Sequence, residues 1–388
     1  MPLLEVTGLN LFLRSSGRSV QALRHLSFKL ERGGALGLIG ESGSGKSLTA
    51  MTLMGLQPQQ ASVTGSLQWE GQELLGSTER QWQVLRGNRM AMVFQEPMTA
   101  LNPVHTIGRQ VAEPMVRHLG LAPREALKAA TGLLERVGIP EPSVRVHDYP
   151  HQFSGGQRQR ITIAMALACQ PDLLIADEPT TALDVTVQQQ ILDLINDLVA
   201  ERDMALILIS HDLGVISQNV DDMLVMYGGQ IVESGPTAAI FRHMAHPYTR
   251  GLMAARPRLD AARQPSGQPY ALFTIAGNVP ALPDLPRGCT FAGRCPFTEA
   301  RCFEERPQRV GIPSFQPQEA EYSSLGVHQV RCLRPEAMRP GNTEAWQGPP
   351  TTCARRCCSC RTSARPTACR GASCGSPPPW CRPCTAWM

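Results

Sequence analysis

The chain has 388 residues, 42% of them apolar, 18% charged and 5% aromatic, enough to bury a sizeable core as two domains or as one with extensions. Lys and Arg number 37 against 33 Asp and Glu, but six arginines and no acids lie in residues 351–388, leaving 31 against 33 elsewhere, a balance of −2 that argues against a nucleic-acid surface. There is no uninterrupted apolar run of ~18 residues, and Met1-Pro2-Leu3-Leu4-Glu5-Val6 lacks the basic lead and apolar stretch of an export signal, so neither a membrane span nor secretion is expected.

Residues 1–255 alternate strand-like apolar runs with amphipathic helical ones, as an α/β domain does. The first informative run is Leu36-Gly37-Leu38-Ile39, a buried-strand candidate. It leads into Gly40-Glu41-Ser42-Gly43-Ser44-Gly45-Lys46-Ser47 and then an apolar helical stretch, Leu48 to Leu56. The octapeptide fits the P-loop pattern in its required strand–loop–helix context. Its glycines let backbone N–H groups curl around phosphate oxygens, and the helix N-terminus adds a favourable dipole. Lys46 is expected to reach the β- and γ-phosphates, and the Ser47 hydroxyl to ligate Mg²⁺.

A second buried strand, Leu173-Leu174-Ile175-Ala176, ends in Asp177-Glu178. Both carboxylates would emerge at the carboxyl edge of the sheet, where α/β folds bind ligands. There Asp177 would hold Mg²⁺ and Glu178 would polarise an attacking water. Apolar residues at 187, 191, 194, 195 and 198 lie on one face of a helix. The strand Ala205-Leu206-Ile207-Leu208-Ile209 is followed at once by His211, placed to contact a γ-phosphate.

A stretch richer in proline and glycine, 256–288, reads as a linker into a smaller region over 289–340. That region carries Cys289, Cys295, Cys302 and Cys332. With a single cysteine in the first 288 residues, a secreted disulfide scaffold is a poor reading and a reducing compartment a better one. Four thiols there suggest a tetrathiolate site, zinc or an iron–sulfur cluster; buried free cysteines or an adventitious disulfide are the alternative. Residues 351–388 contain eight Cys, six Arg and five Pro but no Leu, Ile, Val, Phe or Tyr. Such a composition cannot bury a core. The segment 341–388 therefore reads as a disordered tail, translated out of frame or else a Cys-rich metal tail.

Between Lys46 and Asp177 lie Phe94-Gln95-Glu96-Pro97 and Phe153-Ser154-Gly155-Gly156-Gln157, and downstream come Pro179-Thr180-Thr181-Ala182-Leu183-Asp184 and Ser210-His211-Asp212. With the P-loop and the acidic pair, this ordered set resembles the ATP-binding subunit of ABC transporters over about residues 3–255. The resemblance implies a P-loop ATPase fold with an inserted helical subdomain at roughly 96–170. It implies that Gln95 touches Mg²⁺ and couples to membrane subunits. Ser154, Gly155, Gly156 and Gln157 would form the signature motif, which caps the γ-phosphate on a partner's P-loop in a head-to-tail dimer. Ser-Gly-Gly before a helix suits that role by offering a hydroxyl and bare N–H groups to an anion, although alone it is an ordinary helix cap. Asp184 would lie at the dimer contact, and His211 becomes the switch histidine. Many relatives stack adenine on an aromatic upstream of the P-loop; Gly17–Leu23 has none, and Phe12 is the nearest.

Further phrases resemble the oligopeptide, dipeptide, nickel and glutathione importer group: Gln95 through Pro103, Asp184-Val185-Thr186-Val187-Gln188, His246-Pro247-Tyr248-Thr249, Gly277-Asn278-Val279-Pro280 and Gly288 through Cys295. The resemblance implies an ATP-hydrolysing motor for peptide uptake, peripheral on the cytoplasmic face of the inner membrane. It would be partnered by a second ATPase subunit, membrane permeases and an extracytoplasmic solute-binding protein. At the tetrathiolate it favours an iron–sulfur cluster over zinc. The rival readings are a soluble ABC ATPase acting on DNA or ribosomes, and the truncated first half of a tandem ATPase.

Overall fold

The computed structural model describes residues 1–15, 18–181, 183–255, 274–312 and 324–338. The tail expected over 341–388, and the part of the expected linker before residue 274, lie outside the described residues.

Two long strands open the chain, β1 (Leu4–Ser15) and β2 (Arg18–Leu30). In β1 the buried apolar positions run Leu4, Val6, then Leu9, Leu11. Strict alternation would turn Leu9 and Leu11 outward. The pairing register with β2 shifts between Val6 and Leu9, and Gly8 there has φ 57°, so the bulge absorbs the odd residue and returns the later leucines to the core. Strands β4 (Ser62–Trp69) and β5 (Gln72–Glu73) complete a four-stranded antiparallel sheet in the order β2-β1-β4-β5.

The second sheet comprises β3 (Ala35–Ile39), β6 (Met90–Val93), β7 (Leu173–Asp177), β8 (Ala205–Ser210), β9 (Asp222–Tyr227), β10 (Gln230–Pro236), β11 (Val310–Gly311) and β12 (Gln329–Val330). Their order is β11-β12-β10-β9-β3-β8-β7-β6. From β9 to β6 neighbouring strands are parallel; β10, β12 and β11 continue the sheet antiparallel. All of β7 and β8 is buried, because a parallel sheet is covered on both faces and its strands read as continuous apolar runs. Successive side chains therefore feed two separate cores. Leu173, Ile175, Ile207 and Ile209 pack towards the antiparallel sheet. Leu174, Ala176, Leu206 and Leu208 pack into a cluster with the inserted helices Ile107–Leu119, Pro123–Arg136 and Gly155–Ala166.

Those helices carry their own boundary signals. The Thr106 side chain accepts from the Arg109 N–H, Gly120 at φ 66° ends the first helix, and Pro123 opens the next. The C-terminal region is joined to the larger sheet by β12, paired with β10 through Glu233–Val330 and Ser234–Gln329. Phe291, fully buried, meets Tyr227 and Tyr248 with ring centroids 5.1 and 5.3 Å apart. Below them the fully buried Glu233 carboxylate accepts from the Ala245 and His246 N–H groups, 2.7 and 3.1 Å, lies 2.8 Å from His328 Nε2 and also bonds the Thr249 hydroxyl. A buried charge is tolerable only with such partners.

Candidate functional site

The register of the parallel strands brings distant residues to one edge. Val93 is level with Ala176, Asp177 with Ile209, and Ile39 with Ser210. The residues just beyond these strand ends, Gln95, Glu178, Gly40 and His211, therefore leave the sheet side by side.

The loop after β3 wraps back onto the helix Lys46–Leu53, whose N-cap is Gly45 in a left-handed conformation, φ 101°. Gly40 is required by crowding, since a Cβ there would stand 2.3 Å from the Met226 carbonyl oxygen. Lys46 is buried, and its Nζ donates to the carbonyls of Gly40 and Glu41 at 2.8 and 3.2 Å. Burial pulls its pKa below the usual lysine value, opposed by the carboxylates of Glu178, Asp177 and Glu41. The ammonium is thus held, buried, against the loop's own carbonyls.

Asp177 is buried at the end of β7. Burial pushes its carboxyl up, the Ser47 hydroxyl hydrogen-bonds it and pulls the other way, Glu178 adds to the rise, and Lys46 opposes it. Its Oδ1 is buried with no hydrogen-bond partner. An orphaned carboxylate oxygen beside a serine hydroxyl is a hard-oxygen donor set, and it fits Mg²⁺ held by Ser47 and Asp177. The Ser44 hydroxyl, also in the loop, is orphaned too.

Glu178 has φ 45°, a left-handed conformation that costs a non-glycine residue about 1–2 kcal/mol. Its N–H donates to the Ile209 carbonyl at 3.0 Å, which holds that turn. One carboxylate oxygen, Oε2, gathers three neighbours: Gln95 Nε2 at 3.0 Å, Thr181 Oγ1 at 2.9 Å and His211 Nδ1 at 3.4 Å. Glu178 is largely covered and His211 is open to solvent, with side-chain exposures of 15% and 66%. The arrangement steadies the carboxylate with an amide and a hydroxyl.

The remaining candidates are held elsewhere. Ser154 caps the helix Gly155–Ala166 in a reciprocal box: its hydroxyl accepts from the Gln157 N–H at 3.3 Å and its own N–H donates to Gln157 Oε1 at 3.1 Å. Ser154 and Gly155 are exposed, and a Cβ on Gly156 would meet Val187 at 2.9 Å. Asp184, exposed, caps the helix Val185–Ala200 by accepting from the Val187 N–H. Phe12 is paired in register with Gln21 inside the antiparallel sheet.

Two contacts at the candidate site have no counterpart in the sequence reading. Thr181 lies within a quoted motif yet had no role until its hydroxyl was placed on Glu178. Arg294, from the C-terminal region, binds the Glu41 carboxylate with both terminal nitrogens, 2.7 and 3.1 Å, and also donates to the Tyr227 hydroxyl and the Ala276 and Gly277 carbonyls. The Tyr248 hydroxyl accepts from the Glu41 N–H at 2.7 Å. The second residue of the phosphate loop is therefore gripped from a segment more than 200 positions away, a contact for which the sequence holds no local signal.

A family model described as ABC transporter matches residues 23–181, and one described as oligopeptide/dipeptide transporter, C-terminal region, matches residues 232–302. A protein of Brucella melitensis named as a peptide import ATP-binding protein is 47% identical over 340 residues, covering 86% of this chain and 97% of its own. The chain belongs to the ATP-binding subunits of ABC transporters. A similarly named protein of Brucella abortus is 48% identical over 307 residues, 79% of this chain and 91% of its own. In fold, the ABC subunit resembles a dimeric ATP-binding cassette solved with ADP and phosphate after hydrolysis, with TM-score 0.55 at 23% identity over 60% of this chain and 98% of that one. It also resembles cbiO1 from Clostridium perfringens, part of an ABC transporter complex, with TM-score 0.53 at 25% identity over 62% and 91%. Its activity is the family's, ATP hydrolysis with Mg²⁺ coupled to transport. Among the described residues no helix is long and apolar enough to cross a membrane.

The four cysteines of the extension converge without forming a metal shell. Cys289, Cys295, Cys302 and Cys332 are free thiols lining one small cavity beside His246 and Phe291. Burial pushes the thiols of Cys289, Cys295 and Cys332 up, Cys295 to about 12 and Cys332 to about 11. Among the described residues no group of three or more His, Cys, Asp or Glu side chains is arranged to hold a metal ion. The expected iron–sulfur cluster is thus unsupported: lining a common cavity is not sharing a coordination centre.

Proposed function

We propose that this chain powers the uptake of peptides or peptide-like solutes, working as a peripheral subunit on the cytoplasmic face of the inner membrane. The observation that carries the hydrolytic reading is the gathering of Gln95, Thr181 and His211 on one oxygen of Glu178, beside Lys46 and the orphaned Asp177 oxygen. The names of the relatives and the match over residues 232–302 support the class of solute.

In this reading Gly40–Ser47 cradles the phosphates of ATP with backbone N–H groups, and Lys46 leaves the Gly40 and Glu41 carbonyls for the β- and γ-phosphates. Ser47 and Asp177 hold Mg²⁺, joined by Gln95, and the metal when bound neutralises charge on the phosphates. Glu178 orients water for in-line attack, its carboxylate kept in place by Thr181, while His211 contacts the γ-phosphate. The exposed cap at Ser154–Gln157 faces the γ-phosphate on a second ATPase subunit, with Asp184 at the same contact. Permease subunits supply the pathway, and a solute-binding protein delivers cargo from outside. The four sulfur donors would suit a thiophilic ion or cluster in chemistry alone; iron, zinc and sulfide analysis of anaerobically purified protein tests this, and their absence removes it.

The deciding experiment is ATP turnover by the purified protein with and without its candidate membrane subunits, beside Glu178→Gln. Turnover stimulated by those subunits, and lost in the variant with ATP binding retained, supports a transport motor. Stimulation by DNA or ribosomes instead would overturn it. Uptake of a labelled tripeptide into vesicles holding the full complex tests the solute class.

A further inference from the structure

One part of the molecule gathers positive charge that the hydrolytic site does not use. Arg24 and His25 from β2 and Arg306 and Arg331 from the C-terminal region line a cavity of about 460 Å³ together with Ser27 and Thr290. A neighbouring cavity of about 220 Å³ shares Thr7 and Ser27 with it and adds Arg309. Elsewhere in the protein arginines find carboxylates: Arg32 and Arg89 with Glu70 and Asp172, Arg294 with Glu41, Arg334 with Glu299. Arg24, Arg306, Arg309 and Arg331 form no ion pair with any described residue.

Their hydrogen bonds are also incomplete. Arg309 Nη1 donates to the Ser27 carbonyl at 2.9 Å and Arg306 Nε to the Arg287 carbonyl at 3.1 Å. The buried nitrogens Arg24 Nε, Arg331 Nε and Arg309 Nε and Nη2 have no partner, nor does the hydroxyl of Thr290, whose residue is 2% exposed. Burial and like charge act together on two of these cations. Burial and then Arg306 pull Arg24 down, and burial and then Arg331 pull Arg309 down to about 10. Buried donors are ordinarily satisfied, and unpaired buried cations are costly. A cavity lined by three guanidinium groups and by no carboxylate, in a chain close to neutral outside its last 38 residues, is a ready receptor for a planar or tetrahedral oxyanion.

We propose that this cavity is a second phosphate-binding site, separate from the P-loop, which takes a small anion carrying one or more phosphate groups between Arg24, Arg306 and Arg331, with Arg309 in the adjoining cavity. It stands one hairpin from the nucleotide site. The Arg24 N–H donates to the Gly229 carbonyl at 2.8 Å, the Gly229 N–H donates to the Ser44 carbonyl of the P-loop at 3.0 Å, and Gln230, next in sequence, lines the cavity. Occupancy therefore bears on the loop that holds ATP through two backbone hydrogen bonds.

The probe is inorganic pyrophosphate, titrated calorimetrically into full-length protein carrying Lys46→Ala, which cripples the P-loop as a competing site. The expected result is residual binding that weakens with salt and falls about tenfold on adding Arg306→Gln or Arg331→Gln, the loss of one charge-assisted contact. Arg306 is exposed, so its variant should fold. Without anion, Arg331→Gln should melt no lower than its parent, since it relieves repulsion; a structural role alone predicts the opposite. Vesicles of phosphatidic acid against phosphatidylcholine identify the source. Capture by the former, lost with Arg306→Gln, assigns the phosphate to a lipid headgroup, and pyrophosphate binding alone assigns it to a soluble anion. No binding of either probe, or binding indifferent to both arginine variants, overturns the proposal.

Discussion

Replacing Arg294 by methionine removes the guanidinium that grips the phosphate loop while keeping most of the side-chain volume. The Arg294 side chain is 7% exposed and its Glu41 partner 27%, so the pair is close to a buried one. Breaking a fully buried pair costs about 3–5 kcal/mol, and a hydrogen bond to a charged group contributes about 1.5–3 kcal/mol. Glu41 can recover part of its hydration, and the Ala276 and Gly277 carbonyls, both exposed, can turn to water. The loss should therefore be about 2–3 kcal/mol, seen as a fall of roughly 4–8 °C in thermal midpoint. Glu41 also shapes the carbonyls that hold Lys46, so a loosened loop should bind an ATP analogue about fivefold more weakly. A thermodynamic cycle with Glu41→Gln isolates the pair: each single variant strands one charge, whereas the double variant strands none and should lose about 1–2 kcal/mol less than the sum. Losses that add to within about 0.5 kcal/mol would refute the idea that this contact joins the two parts of the chain.

Three further outcomes follow from the same geometry. Asp177→Asn should abolish Mg²⁺-dependent turnover while leaving the fold intact, because the orphaned Oδ1 has no protein partner to lose; Mg²⁺ titration of nucleotide binding by fluorescence checks this, and an unchanged midpoint refutes it. Burial holds His246 down at about 4, against the pull of Glu233 and of a hydrogen bond to the Arg331 carbonyl, while its Nδ1 accepts from the Tyr248 N–H at 3.0 Å. The unfolded chain takes up a proton near pH 6.5 and the folded one only near 4, so stability is full above that window and falls as pH drops through it, by up to about 3 kcal/mol; urea unfolding at pH 7 and pH 4.5 should show the fall, and His246→Gln should flatten it. Cys295 and Cys332, held at about 12 and 11, should resist alkylation at pH 8 until urea opens the extension; labelling in the folded protein at the rate of a free thiol would contradict their burial.

Much of the fold was legible because its central strands are buried on both faces. The apolar runs 36–39, 173–176 and 205–209 became Ala35–Ile39, Leu173–Asp177 and Ala205–Ser210, and the periodicity over 187–198 became the helix Val185–Ala200. Helix onset was marked locally at the P-loop too, yet its far end was not: apolar residues continue to Leu56, whereas the helix stops at Leu53 and Gly55 follows at φ 63°. Strands β11 and β12, at one end of the sheet, have two residues each, too few for any period to register, and pairing, of β12 with β10 and of β11 with β12, rather than their own composition makes them strands.

The phosphate loop is decided by covalent neighbours: glycines that tolerate crowding and positive φ, then a lysine and a serine opening a helix. Such chemistry is written in consecutive residues, and the sequence by itself determined it, along with the family. What meets the loop is decided by strand register, which depends on pairings between residues 32 to 186 positions apart. Only the tertiary structure could set Gln95, Thr181 and His211 on one oxygen of Glu178, lay Arg294 on Glu41, or collect Arg24, Arg306, Arg309 and Arg331 around shared cavities. A charge has no sequence signature of its partner, because the Coulomb and hydrogen-bond terms that pair it act through space.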